Sequence, residues 1–185
     1  MNEAELTEKR LRGELIYDGR VVHLWRDEVR LPDGRETIRE VVRHIGAVGI
    51  VPLTDKGEVL CVEQYRYPYA CVMLEIPAGK LDDPGEPLEE AARRELREET
   101  GAVGGRMISL GALYPSVAIC DEVIHLYVAE GFTMDHTDPD DDEFLCTRAI
   151  PLDELLDMVM RGEVPDAKTQ IAVLKTARLR DAGVI

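Results

Sequence analysis

Serine is almost missing from this chain of 185 residues: Ser109 and Ser116 are the only two, and neither stands in a G-x-S-x-G context. A serine-nucleophile enzyme is thereby excluded. Cysteine is sparse as well, since Cys61, Cys71, Cys120 and Cys146 are widely spaced, form no C-x-x-C pair and lie in apolar or strand-like stretches. They are expected to be free, buried thiols of a reducing cytosol. The four histidines, His23, His44, His125 and His136, are too scattered for a zinc site and read as strand or surface residues. No G-x-G-x-x-G follows a strand, so a Rossmann domain is excluded. No apolar run reaches signal-peptide or transmembrane length, and the first dozen residues, MNEAELTEKRLR, are polar and mixed in charge. A soluble, cytoplasmic protein is expected. Positive charge is also short: 22 Lys and Arg against 37 Asp and Glu leave a net charge of −15, which repels nucleic acid and anionic membranes. Neither is an expected partner. An acidic protein acting on an anionic substrate needs locally placed arginines or a bound metal.

Hydrophobic residues make up 45% of the chain, enough for one substantial core without disulfides. Positions 14 to 67 read as successive strands, rich in β-branched and aromatic residues. Pro32-Asp33-Gly34 and Thr54-Asp55-Lys56-Gly57 supply the turns of two hairpins, the first between Val21–Trp25 and Thr37–Val42. A helix follows from Glu86 or Pro87 to Gly101, its apolar stripe set by Leu88, Ala91, Ala92 and Leu96. Strands resume at Met107–Leu113, Val123–Ala129 and Phe144–Ile150, separated by an acidic loop over Asp135–Glu143. Two helices close the chain, Leu152–Arg161 and about Ala167–Arg180. Strand runs with helices inserted late predict an α+β sandwich with a mostly antiparallel or mixed sheet.

The chemistry is concentrated in the helix after Ala78-Gly79. On a helix Glu95, Glu98 and Glu99 project from neighbouring positions toward one side. They also lie in the last turns, where the helix dipole disfavours anions. A divalent cation removes the conflict, because hard carboxylate oxygens suit Mg²⁺, which also bridges to phosphates. For E/R-rich helices in general, a solvated helix laced with pairs such as Glu89 to Arg93 and Arg94 to Glu98 is the commoner reading. The full pattern decides between the two. From Glu86 through Arg94-Glu95-Leu96, Glu98-Glu99 and Gly101-Ala102, the residues resemble the Nudix box, in which a Gly precedes a Glu and then R-E-(apolar)-x-E-E-x-G-(apolar). Six residues separate Gly79 from Glu86 where the family pattern has five, and the extra one falls in the turn Asp82-Asp83-Pro84-Gly85.

The resemblance implies the Nudix fold, an α/β/α sandwich in which the box forms a loop, helix and loop that bind catalytic divalent metal. It implies Glu95 and Glu99 as principal ligands of Mg²⁺, or of Mn²⁺ in its place, with the backbone carbonyl of Ala78. Glu98 becomes a further ligand or holds a water at the metal, while Arg94 and Glu86 orient the carboxylates. The reaction implied is hydrolysis of a phosphoanhydride by water, with a carboxylate as general base. Glu143 of the acidic loop is the chosen base, and Asp142 the next choice. An EF-hand reading of that loop fails, because Glu143 stands where a Gly is needed.

Similarity to the ADP-ribose pyrophosphatase branch extends from about Gly13 to Arg180, through Gln64-Tyr65-Arg66, Leu74 to Lys80, Tyr114-Pro115-Ser116 and Asp121 to Tyr127. It implies Arg66 and Arg39 as holders of pyrophosphate or terminal ribose, Glu75 near the ribose or a metal-site water, and Trp25 stacked on adenine across a dimer interface. A strand-face ion pair explains Arg39 equally, and packing explains Trp25 equally. The expected reaction is ADP-ribose to AMP and ribose 5-phosphate. Val117-Ala118 replaces the branch's usual Pro-Gly, which leaves GDP-mannose, ADP-sugars, NADH and FAD open as substrates. The division expected is 1–45 as N-terminal strands that form a homodimer and 46–185 as the Nudix domain. A non-catalytic nucleotide-sugar sensor is the alternative from another class, and such domains usually lose box glutamates that this chain keeps.

Overall fold

Charge pairs across strands, rather than apolar burial, join the first strands of the computed structural model, which describes residues 2–138 and 144–185. Strand β1 (Lys9–Asp18) pairs antiparallel with β2 (His23–Arg30), and β2 with β3 (Glu36–Arg43). Arg12 faces Glu28 at 2.6 Å and Arg26 faces Glu14 at 3.0 Å, both in direct register. Opposite charges directly across a sheet attract, so a polar segment pairs without an apolar stripe. This is why β1 begins at Lys9, ahead of position 14, where strand character starts in the sequence. The chain forms two compact units, one of residues up to Ile45 with Tyr114–Val123, the other of Gly46–Leu113 with Ile124–Ile185. Within the first, Asp121 accepts hydrogen bonds from Arg43 at 2.9 Å and from the His44 amide at 2.7 Å.

The second unit is a seven-stranded mixed sheet of β4 (Ala47–Leu53), β5 (Glu58–Arg66), β6 (Cys71–Glu75), β7 (Ala78–Lys80), β8 (Ala102–Leu113), β9 (Ile124–Met134) and β10 (Leu145–Pro151). The order is β10-β5-β4-β9-β8, with β6 on β5 and β7 on β4, and β4 and β9 run parallel. Strand β8 starts earlier than Met107, because Gly104 and Gly105 pass through the ladder at positive φ despite their low strand propensity. Side chains alternate between faces with period two. Val48, Ile50, Tyr127 and Ala129 pack against Ala91, Ala92 and Leu96 of α1 (Leu88–Thr100). Val51, Leu126 and Val128 pack against Leu152 and Leu155 of α2 (Leu152–Met160) and Val173 of α3 (Ala167–Asp181). Helices on both faces make the α/β/α sandwich, and they explain why β4 is buried from Ala47 to Pro52. Among the described residues no helix is long and apolar enough to cross a membrane.

The cysteines depart from expectation. All four are free, but only Cys61 is buried, and burial pushes its thiol up to about 12; Cys71 and Cys146 are exposed. Cys61 lies on β5 inside the sheet, whereas Cys71 lies on β6, off the main strand path, and Cys146 on β10 at its end. An apolar neighbourhood in sequence does not bury a residue on a marginal strand.

Candidate active site

Pro87 opens α1 with extended φ and ψ, its carbonyl accepting from the amides of Glu90 and Ala91, and Gly101 ends the helix in the left-handed region at φ 75°. The termini agree with the predicted helix to within two residues. Glu95 and Glu99 are buried, at 8% and 3% exposure, and both lie on α1 beside β7. The backbone amide of Ala78 donates to Glu99 Oε2 at 3.3 Å. Gly79, the next residue, lies so close to Glu95 that any Cβ there would run into its carboxylate.

Arg94 gathers the acids. Its Nη1 donates to Glu95 Oε1 at 2.7 Å and to Glu98 Oε2 at 3.1 Å, its Nε to Glu86 Oε1 at 3.1 Å, and its Nη2 to the Lys80 carbonyl at 3.1 Å. Burial works against the charged guanidinium, but the hydrogen bonds it donates to Glu86 and Glu95 outweigh it and raise Arg94 above its ordinary value. Glu86 in turn is held below the usual carboxylate range by Arg94 and by the Asp82 amide, which donates to it at 2.7 Å. The extra residue before Glu86 is absorbed in that turn, and Glu86 still reaches the arginine. The donor set suits a hard divalent cation: two buried carboxylates stand on α1 beside β7, and Gly79 leaves the Glu95 carboxylate the space a Cβ would take. As placed, no three acidic, histidine or cysteine side chains among the described residues form a group that could hold a metal ion, and Arg94 is bonded to both Glu95 and Glu98.

Glu143 and Asp142 lie outside the described residues. The segments flanking them are tied to the end of α1: the Asp138 amide donates to the Glu98 carbonyl at 3.0 Å, and Thr147 Oγ1 donates to the Glu99 carbonyl at 3.3 Å. These bonds satisfy carbonyls that a helix terminus leaves without partners.

Arg66, at the end of β5, is clamped by Glu75 of β6, with Nε to Oε1 and Nη2 to Oε2 both at 2.7 Å. Burial alone would raise the Glu75 carboxyl; the Arg66 hydrogen bond and the Lys168 charge overcome that and lower it. Sequence reasoning missed Lys168, whose ammonium reaches Glu75 Oε2 from α3. No local signal marks it, since the two are 93 residues apart. In the first unit Arg39 donates to Glu8 at 3.0 and 2.5 Å, which is the strand-face ion pair weighed for it. Trp25 lines an open cleft of about 480 Å³ with Arg10, Leu15, Asp18, His23 and Arg43, and the Arg10 guanidinium stands 5.8 Å from its ring centre.

Comparison with known proteins places this geometry in a family. The NUDIX domain model matches residues 43–171. The chain is 39% identical over 170 residues to the ADP-ribose pyrophosphatase of Bacillus subtilis (strain 168), covering 91% of each chain. It is 43% identical over 168 residues to the methanol dehydrogenase activator of Bacillus methanolicus, covering 90% of each. It is 33% identical over 155 residues to the GDP-mannose pyrophosphatase of Yersinia enterocolitica, covering 78% of this chain and 79% of that one. The fold matches the crystal structure of an ADP compounds hydrolase with a TM-score of 0.85 at 23% identity, over 97% of this chain and 98% of the other. The chain belongs to the Nudix family and is a Nudix pyrophosphohydrolase.

Proposed function

We propose that the chain hydrolyses ADP-ribose to AMP and ribose 5-phosphate with Mg²⁺, in the cytoplasm and as a homodimer. The observation that carries this reading is the buried pair Glu95 and Glu99 beside Ala78 and Gly79, with the Glu75-clamped Arg66 in the same unit. Glu95, Glu99 and the Ala78 carbonyl would hold the cation, with Glu98 as a further ligand, and binding would exchange the contacts of Arg94 with Glu95 and Glu98 for the cation. Bound there, Mg²⁺ would neutralise negative charge on the phosphates of the anhydride. Mn²⁺ has the same ligand preference for oxygen.

The remaining steps belong to the chain. Arg66 uses Nε and Nη2 on Glu75 and so presents its Nη1 edge to a phosphate oxygen, which places the pyrophosphate for in-line attack. Arg94 and Glu86 keep the box carboxylates in place until the cation loads. A water attacks one phosphorus and its oxygen remains on that product, while the anhydride oxygen leaves with the other phosphate. The proton goes to a carboxylate of the acidic loop, Glu143 by preference, whose flanking segments are held at the end of α1. Trp25 and Arg39 would serve the adenine and the sugar across the dimer interface. The exposed edge strand β1, with Leu15, Ile16 and Tyr17 open to solvent, suits pairing with a second copy.

The test is product identification after incubation with Mg²⁺ and ADP-ribose, ADP-glucose, GDP-mannose, NADH, FAD and diadenosine polyphosphates. AMP with ribose 5-phosphate from ADP-ribose is the expected result. Turnover of another member alone would keep the mechanism and move the specificity, with Val117-Ala118 the first place to look. The similarity to a GDP-mannose pyrophosphatase keeps that substrate in the panel. No turnover of any member would favour a nucleotide-sugar sensor.

A further inference from the structure

Lys168 has no place in the box or in the Q-Y-R segment, yet it closes an ion-pair chain that ends at Arg66. Its side chain is 11% exposed, and its ammonium contacts Glu75 Oε2 and stands 3.2 Å from Asp166 Oδ2. Asp166 is itself fixed as the N-cap of α3, accepting from the Thr169 amide at 2.9 Å and from Thr169 Oγ1 at 2.5 Å. Thr169 Oγ1 accepts from the Ile76 amide at 2.9 Å. The first turn of α3 therefore grips both the side chain of Glu75 and the backbone of the residue after it, two residues before Ala78.

A carboxylate held by one arginine alone can swing with it. Glu75 instead receives Arg66 across both oxygens and Lys168 on one of them, so a single pose satisfies all three groups. Burying an ammonium costs free energy that a stability role seldom returns, and two apolar side chains would join α3 to β6 more cheaply. An arginine held in advance loses less freedom on binding a phosphate. The charge of Glu99 also acts on Arg66, which puts the clamp within electrostatic reach of the box.

We propose that Lys168, anchored by Asp166, is a positioning residue that fixes Glu75 and through it aims the Arg66 guanidinium at the substrate pyrophosphate. This rests on the role proposed above for Arg66. Lys168 does not touch substrate; it determines how tightly substrate is held.

The experiment is steady-state kinetics of the full chain with Mg²⁺ and ADP-ribose, for the wild type, Lys168→Met, Arg66→Met, the double variant and Lys168→Arg, with a thermal melt of each. Lys168→Met should raise KM about tenfold with kcat changed by less than about threefold. The double variant should be no worse than Arg66→Met alone, because Lys168 acts through Arg66. Lys168→Arg, which keeps the charge, should recover most of the loss. Should Lys168→Met fail to fold, Asp166→Asn keeps an N-cap and removes the anchoring charge, and KM should rise about threefold. Additive effects in the double variant, or an unchanged KM in Lys168→Met, would overturn the proposal while leaving Arg66 in its role. An unchanged KM in Arg66→Met, or no turnover of any member of the substrate panel by the wild type, would overturn both.

Discussion

Gly79 and Glu95 face each other with no room for a side chain on the glycine, so the Glu95 carboxylate rests directly on the backbone of β7. Substitution Gly79→Ala should therefore displace the carboxylate before it disturbs the fold. We expect kcat to fall at least about tenfold while stability changes by less than about 1 kcal/mol, because the group that gives way is the free end of a flexible side chain. Kinetics and a urea melt of the same preparation measure both. Full activity in Gly79→Ala would show that Glu95 needs no fixed place.

Substitutions Glu99→Gln and Glu95→Gln should each lower turnover by roughly two or more orders of magnitude with the fold intact, as expected for groups that hold charge in the transition state. Circular dichroism and kcat at saturating Mg²⁺ are the readouts. Unchanged activity in either variant removes it from the proposed metal site.

Arg94→Met should leave Glu86, Glu95 and Glu98 without their shared cation, since all three accept hydrogen bonds from it. Like charges gathered in a half-buried place repel, and the melting temperature should fall by roughly 5 °C. Mg²⁺ should restore more of the melting temperature in this variant than it adds to the wild type, because the cation and the guanidinium compete for the same oxygens. Equal Mg²⁺ responses would separate Arg94 from the cation site.

The lowered Glu75 carboxyl makes part of the stability depend on pH. Its native value lies below the ordinary 4.5, so the unfolded chain takes up that proton first as pH falls. Its stabilising contribution is complete above 4.5 and is lost as pH falls through the lower native value. Glu75→Gln should cost about 3 kcal/mol at neutral pH, because it removes the anion that Arg66 and Lys168 share and leaves Lys168 with Asp166 alone, and the gap to wild type should narrow in acid. Denaturant melts across the acid range measure it; a constant gap would show that the ion pairs contribute nothing to stability.

Thiol reagents should divide the cysteines by strand. Cys71 and Cys146 should react in the native protein, whereas Cys61, buried and with its thiol pushed up to about 12, should react only on unfolding. Mass mapping after brief alkylation decides the matter.

The sequence by itself determined what depends on near neighbours. Helix α1 was legible to within two residues, because Pro87, Gly101 and an apolar stripe at helical spacing are all local signals. The spacing of Glu95, Glu98 and Glu99 put them on one side of that helix for the same reason. Both closing helices and the hairpin turns were legible on the same terms. Tertiary structure alone decided the rest. The parallel pairing of β4 with β9 joins segments with no shared local pattern, and marginal strand positions left Cys71 and Cys146 exposed despite apolar neighbours. Asp138 and Thr147 meet the last carbonyls of α1 only through the register of distant strands. Lys168 reaches Glu75 over 93 residues because α3 packs back onto the sheet. Periodicity records a residue's relation to its own turn or strand; an ion pair between elements depends on packing, which no local window contains.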